Sequence, residues 1–212
     1  MKNSYIKLIL WPIIILLVYF VYNSIQSEIS FQEDAKKRIS ENVQKLKDLR
    51  ALQIAHKKVN GFYASNFDDL IHFLNNGLIP IIKAEGETPD SLINGQQITD
   101  VQALEMGLIS RDTSFAPVKD IIFDNTYLQT RDENYPLDIN SLTKIPHTNG
   151  IDYNIDAGVV EKGKVMVQVF EISAEYRKVL VNLDAENKKY DLNNLLKVGS
   201  MEEASLNGNW GE

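Results

Sequence analysis

The chain has 212 residues, with 22 Lys+Arg against 29 Asp+Glu, no Cys and 44% hydrophobic residues. That length accommodates one domain plus an appendage, the ordinary composition excludes wholesale disorder, and the missing cysteines exclude a disulfide framework, a thiolate metal site and a cysteine nucleophile. A net charge of −7 argues against a general nucleic-acid binder, which needs a basic surface to displace counterions from phosphate.

The charge is unevenly spread. Residues 1–27 hold Lys2, Lys7 and no acid, so the remaining 185 residues carry 20 bases against 29 acids, a net of −9. From Leu8 to Tyr22 the chain reads LILWPIIILLVYFVY, without a charge or an amide. Extended to Ile25, this run is long enough as a helix to cross the roughly 30 Å hydrocarbon layer. Leu8, Trp11, Pro12, Ile14, Leu17, Phe20 and Tyr22 are the expected membrane-spanning residues, with aromatic anchors towards the ends and Pro12 in the first turns, where a lost backbone bond is tolerated. Asn23 to Ser27 offers no pair of small residues spaced for signal cleavage. The expectation is an uncleaved single-pass anchor in the inner membrane. Lys2, Lys7 and the α-amino group keep residues 1–7 in the cytoplasm, and the rest lies outside.

A helical stalk over 26–60 should follow, free of Gly and Pro. Apolar residues at Ile29, Ala35, Ile39, Val43, Leu46, Leu49, Leu52, Ala55 and Val59 recur mostly at spacings of three and four. Gly61 suits a helix terminus, with Lys57 and Lys58 in the last turn where cations complement the dipole. The half from Val43 to Val59 should dock on its own domain. Its more polar beginning, through Ile29, Ala35, Ile39, Val43 and Leu46, is the expected interface with a partner helix or a second copy.

The remaining segment, 61–212, reads as one extracytoplasmic α+β domain. Ser65 or Asn66 caps a helix over Phe67–Asn75, and Asn75-Asn76-Gly77 ends it. Leu78–Ile82 predicts a strand kept to an edge by Pro80, and 84–97 a polar loop or exposed hairpin. Thr99 with Gln102 forms a capping box for a short helix stopped at Gly107, and Val118–Phe123 looks like a strand. The segment 124–150 reads as a loop. Alternation at Ile151–Asp156 and Lys164–Ile172, with Glu161–Lys164 between them, predicts a hairpin; Val179–Leu183 is ambiguous, and Leu195–Val198 is a last strand.

This order of a membrane helix, a packed helix, a loop and antiparallel strands resembles type IV pilins and the pseudopilins of type II secretion. The run Ala51–Tyr63 (ALQIAHKKVNGFY) is similar to the end of the pseudopilin long helix with its Gly-x-Tyr turn. The chain departs from that pattern in lacking a Gly before Gly61 and an acid before Glu28. The prepilin cleavage motif is therefore absent, and the single-pass alignment subunits of such machines are the better analogy. The resemblance implies a structural subunit of a secretion, pilus-like or motility apparatus.

No phosphate-binding loop, dinucleotide fingerprint, zinc-protease motif or nucleophile elbow is present, so no catalytic residue, cofactor or metal ligand is assigned. His56, His72 and His147 read as ordinary histidines, and Asp68–Asp69 as first-turn acids. Asp152–Gly158 has Ala157 and Gly163 where a calcium loop needs Gly and Glu, so alternation explains it better. Lys36, Lys37, Arg38, Lys45 and Lys47 read as a solvated face, close enough to a bilayer to meet headgroups. The expected partners are the membrane and other envelope proteins, or self-association through the stalk. A membrane-tethered ligand- or cell-wall-binding module is the alternative.

Overall fold

The computed structural model describes residues 2–86, 92–93, 96–97, 99–186 and 188–211; the side chains of 2–9, 84 and 92–98 lie outside that description. One helix, α1 (Lys2–Asn60), runs unbroken through the expected anchor and stalk. From Leu10 to Tyr22 it is apolar on every side and uncovered, and with an 18-residue window of mean hydropathy 1.5 the helix is long and apolar enough to cross a membrane. Its end follows the sequence. Gly61 takes φ +85°, and its N–H donates to the Lys57 carbonyl at 2.8 Å.

Beyond the apolar third, the helix is sheathed. None of the sixteen residues from 38 to 53 is exposed on any side. Phe31, Ala35, Leu46, Leu49 and Leu52 are buried in the main core, and Ile39, Val43 and Ala55 pack against it. The expected stalk is thus a pillar threaded through the domain, and only residues 26–30 separate the apolar run from the first core residue. The expected partner-helix face is corrected accordingly. Ala35, Ile39, Val43 and Leu46 spend their apolar surface on the chain's own domain, and of the five only Ile29 stays exposed, at 46%.

The described residues of the domain assemble around this pillar as short helices and three small antiparallel sheets. Helix α2 (Phe67–Asn76) is capped by Asn66, whose side chain accepts from the Asp69 N–H, and it buries Leu70, Phe73 and Leu74. Strand β1 (Leu78–Glu85) pairs antiparallel with a strand at Ser110–Pro117 to make a two-stranded ribbon. Between them lie two short paired segments, β2 (Leu92–Ile93) and β3 (Gln96–Gln97), and helix α3 (Asp100–Glu105). The Thr99–Gln102 capping box closes with bonds of 3.0 and 3.3 Å. Residues 87–91, 94 and 95 of the expected 84–97 loop lie outside the described residues.

The strand at Ser110–Pro117, β4, has all but one of its residues exposed, so no alternation marks it. The expected strand at Val118–Phe123 is instead helix α4 (Val118–Ile122). Val118, Ile121 and Ile122 recur at helical spacing, and Pro117 fixes the extended entry to the first turn. Helix α5 (Asn125–Thr130), capped by Asp124, and a 3-10 turn at Ile139–Ser141 occupy the expected 124–150 loop.

Three antiparallel strands complete the core in the order β5 (Asn154–Lys162), β6 (Val165–Glu175), β7 (Leu195–Gly199). Gly163 (φ +57°) and Lys164 (φ +68°) form the two-residue turn whose positive φ values match strand twist. The first strand starts three residues later than alternation suggests, because Asp152 is held in an isolated bridge to Lys144. Helix α6 (Tyr176–Val179) ends where the ambiguous segment Val179–Leu183 begins, and residues 180–183 of that segment are turn and bend.

Because α1 is the centre of the core, its leucines should behave as core residues. Leu49→Ala and Leu52→Ala should each lower stability by about 2–5 kcal/mol, read from denaturant unfolding of the detergent-purified chain. Ile54→Ala, at a partly exposed position, should cost far less.

Candidate functional site

The buried side chains of α1 include polar ones, and each is matched by a group from the surrounding loops. Asn42 is fully buried; its amide donates to the Arg38 carbonyl, and its oxygen accepts from the Tyr153 hydroxyl at 2.6 Å. Gln53 makes a reciprocal pair with the backbone of Ala64, at 2.7 and 2.9 Å. His56 Nδ1 lies 2.8 Å from the Phe62 carbonyl, and its ring meets Phe62 and Phe73 edge-on. These bonds fold the chain after Gly61 back against the helix. His56 is therefore a buried clasp, whereas His72 is exposed.

Asp48 and Arg131 form an ion pair with both side chains almost wholly buried. The Tyr127 hydroxyl donates to Asp48 Oδ1 at 2.7 Å. Burial pushes the Asp48 carboxyl up, outweighing the hydroxyl and guanidinium that favour its charge. Burial and the neighbouring carboxylate push the Tyr127 hydroxyl up in turn. Part of the expected solvated face also turns inward. Lys45 Nζ donates to the carbonyls of Ser141 and Lys144 at 2.5 and 2.9 Å, and Arg38 donates to the Val181 carbonyl. Burial pushes the Lys45 ammonium down, against the carboxylates of Glu41, Asp138 and Asp48.

A cleft of about 480 Å³ lies beside the pillar, between the Glu41–Lys45 turn of α1 and the chain from Arg131 to Gly150. Glu41, Lys45, Tyr135, Asp138, Lys144 and His147 supply its polar groups. His147 Nε2 lies 2.8 Å from Glu41 Oε2, and His147 holds φ +62°, a strained conformation for a residue with a side chain. Ser141 donates to Asp138 Oδ2 at 2.6 Å, and that bond holds the Asp138 carboxyl below its usual value. Both signs of charge line the walls, a pattern suited to a polar, zwitterionic or sugar-like group rather than to a bare ion. Asp152 is committed to Thr143 and Lys144 at 2.7 and 2.6 Å. Among the described residues, no three His, Asp or Glu side chains converge as metal ligands.

An uncovered apolar face lies on the ribbon. Residues paired across it share a face, so Leu78, Pro80, Ile82, Phe115 and Pro117 line one side, all exposed. Ile82 and Phe115 are 63% and 64% exposed. Among the described residues neither strand has a further neighbour in its sheet. The cleft and this face were not visible as sites in the sequence. The ribbon's signal was only a Pro-bearing apolar strand, and the cleft depends on loops 90 or more residues from their helix partners.

The expected anchor residues Trp11, Pro12, Ile14, Leu17, Phe20 and Tyr22 are all exposed on the uncovered third of α1, and Leu8 belongs to the same helix.

The buried ion pair gives a signed expectation. Arg131→Met strands a buried carboxylate and should cost about 3–5 kcal/mol at neutral pH. The folded state holds the Asp48 proton more tightly than the unfolded chain does, so this variant should regain stability as pH falls towards the raised Asp48 value. The double variant Asp48→Leu/Arg131→Met should recover much of the loss at neutral pH. Thermal unfolding at several pH values checks both. Against known proteins the chain stands by itself, since no protein-family model, no curated protein and no solved structure matches it.

Proposed function

We propose that this chain is a membrane-anchored, non-enzymatic interaction subunit of a bacterial envelope assembly, of the secretion, pilus-like or motility kind. The apolar third of α1 crosses the inner membrane once, with residues 1–7 in the cytoplasm and the domain outside. The observation that carries the reading is the apolar ribbon face on a domain joined to its anchor without a hinge. A pair of exposed aromatic and branched side chains, flanked by two prolines on a solvent-facing ribbon, is an unusual use of surface for a monomer. Its occupant is an apolar protein surface of another envelope component. Continuity of α1 transmits the position of that contact to the membrane, which suits a subunit that holds parts of a machine in register.

The partner contact moves from the helix face expected at first to the ribbon. Charged substitutions at Ile39 or Val43 would now disrupt the core, so they test folding. Ile82→Asp/Phe115→Asp tests the interface. The variant should melt like the wild type, because both side chains are in water, yet lose the proteins that co-purify with the full-length chain. Undiminished co-purification would sink this reading.

The second reading, a tethered module for a ligand or cell-wall polymer, rests on the cleft beside Glu41 and His147. Under that reading the ribbon variant keeps its ligand, whereas Lys144→Ala/His147→Ala loses it without unfolding. Binding of muropeptides to the purified chain measures the difference.

A further inference from the structure

The domain reaches down α1 almost to the apolar run. Lys188 Nζ meets Glu28 Oε2 at 2.5 Å and lies 5.3 Å from the centre of the Phe31 ring. Tyr190 packs on Phe31 with ring centroids 6.3 Å apart, and Tyr176 stacks on Tyr190 at 5.7 Å. At 1.5 Å per residue, Glu28 stands roughly 5 Å and Phe31 roughly 9 Å beyond Ile25. The headgroup layer outside the hydrocarbon is roughly 5–8 Å deep on each side.

Resting on the reading that α1 crosses the membrane, we infer that Leu183–Glu186 and Lys188–Tyr190 form a foot seated in the lipid headgroup layer, and that the partner of this surface is the bilayer itself. Three features fix it there. No Gly or Pro interrupts α1 between Pro12 and Asn60, so the helix has no joint that could lift the domain. The contacts at Glu28 and Phe31 bind the foot to the helix at its lowest sheathed turn. Ala185 is buried beneath the foot, while Asp184, Glu186 and Lys189 are exposed around it.

The foot carries Asp184 and Glu186 against Lys188 and Lys189, and Glu33, Asp34, Lys36 and Lys37 on the neighbouring helix turns balance likewise. Its contact therefore comes from height and from the amphipathic tyrosines rather than from attraction to anionic lipid. The opposite end of the sheet points away. Phe170 packs on Tyr63, whose ring lies 4.6 Å from Lys57 Nζ near the top of α1. The turn at Gly163–Lys164 is about 20 Å further along the same strand.

The absence of native cysteine makes single labels unambiguous. Full-length Lys189→Cys, Lys164→Cys and Leu17→Cys chains, each carrying one fluorophore, are reconstituted in phosphatidylcholine vesicles with and without phosphatidylglycerol. A nitroxide on the lipid headgroup should quench the label at position 189 several-fold more than the label at 164, in both lipid mixtures. Equal quenching at 189 and 164, or quenching at 189 only with phosphatidylglycerol, overturns the inference. A mid-chain nitroxide should quench the label at position 17. If it does not, the membrane-spanning reading falls and the foot with it; if it does while 189 stays unquenched, the foot alone falls.

Discussion

One helix without a hinge must satisfy two solvents, and the rest of the structure follows from that constraint. From Leu10 to Tyr22, α1 presents apolar side chains on every side, so nothing in the protein needs to cover it. From residue 38 to residue 53 the same helix is surrounded by protein, yet it carries ordinary numbers of Lys, Glu, Asn, Asp and Gln. A sheathed helix of mixed composition is stable only if its polar groups find partners, because each buried donor or acceptor left alone costs more than a bond returns. The loops of the domain are accordingly shaped by the helix. Tyr153 reaches Asn42, the Ala64 backbone reaches Gln53, and the Ser141 and Lys144 carbonyls converge on Lys45.

This arrangement exchanges stability for uniqueness of position. Apolar packing along Leu46, Leu49 and Leu52 would allow a domain to slide by a turn at modest cost, since one leucine substitutes for the next. The polar pins do not permit such a slip. A shift of one turn would place Asp48 away from Arg131 and Tyr127 and leave a buried charge unpaired. The ion pair, raised in energy by burial, is thus better understood as a register device than as a source of net stability. Fixed register along α1 also fixes the height of every other feature of the domain relative to the apolar run.

Much of the secondary structure was legible, because caps and turns act locally. Asn66, the Thr99–Gln102 box, Gly61 and the Gly163–Lys164 turn all appear where residue chemistry puts them. The misreadings have physical causes. No strand was expected at Ser110–Pro117, which pairs with the distant β1 and has all but one residue exposed, so no burial pattern is written into it. Val118–Phe123 is too short for its apolar run to separate strand from helix spacing. The polar half of α1 looked like a solvated or partner-facing stalk because its partners are backbone carbonyls and single side chains scattered from Ala64 to Lys188. Periodicity records where apolar area goes; it has no means of recording that a lysine will meet two carbonyls a hundred residues away. The cleft was hidden for the same reason, being bounded by those long-range contacts.

The proposed roles divide the molecule by height. At the base, the Lys188–Glu28 contact and the tyrosine stack close the domain against the anchor, and no free length of helix remains to act as a tether. On the proposed anchoring, a domain mounted in this way does not search for partners by swinging, and its contacts come to it in the plane of the membrane or are built into a complex around it. The ribbon bears on this point. It joins the body at Ile79, which is buried, and projects for eight paired residues, about 25 Å of strand. A rigid pillar supplies precise position but little reach, and a projecting two-stranded arm supplies reach without giving up position. That combination favours an adaptor that bridges neighbours at a set distance over a receptor that must close upon a ligand.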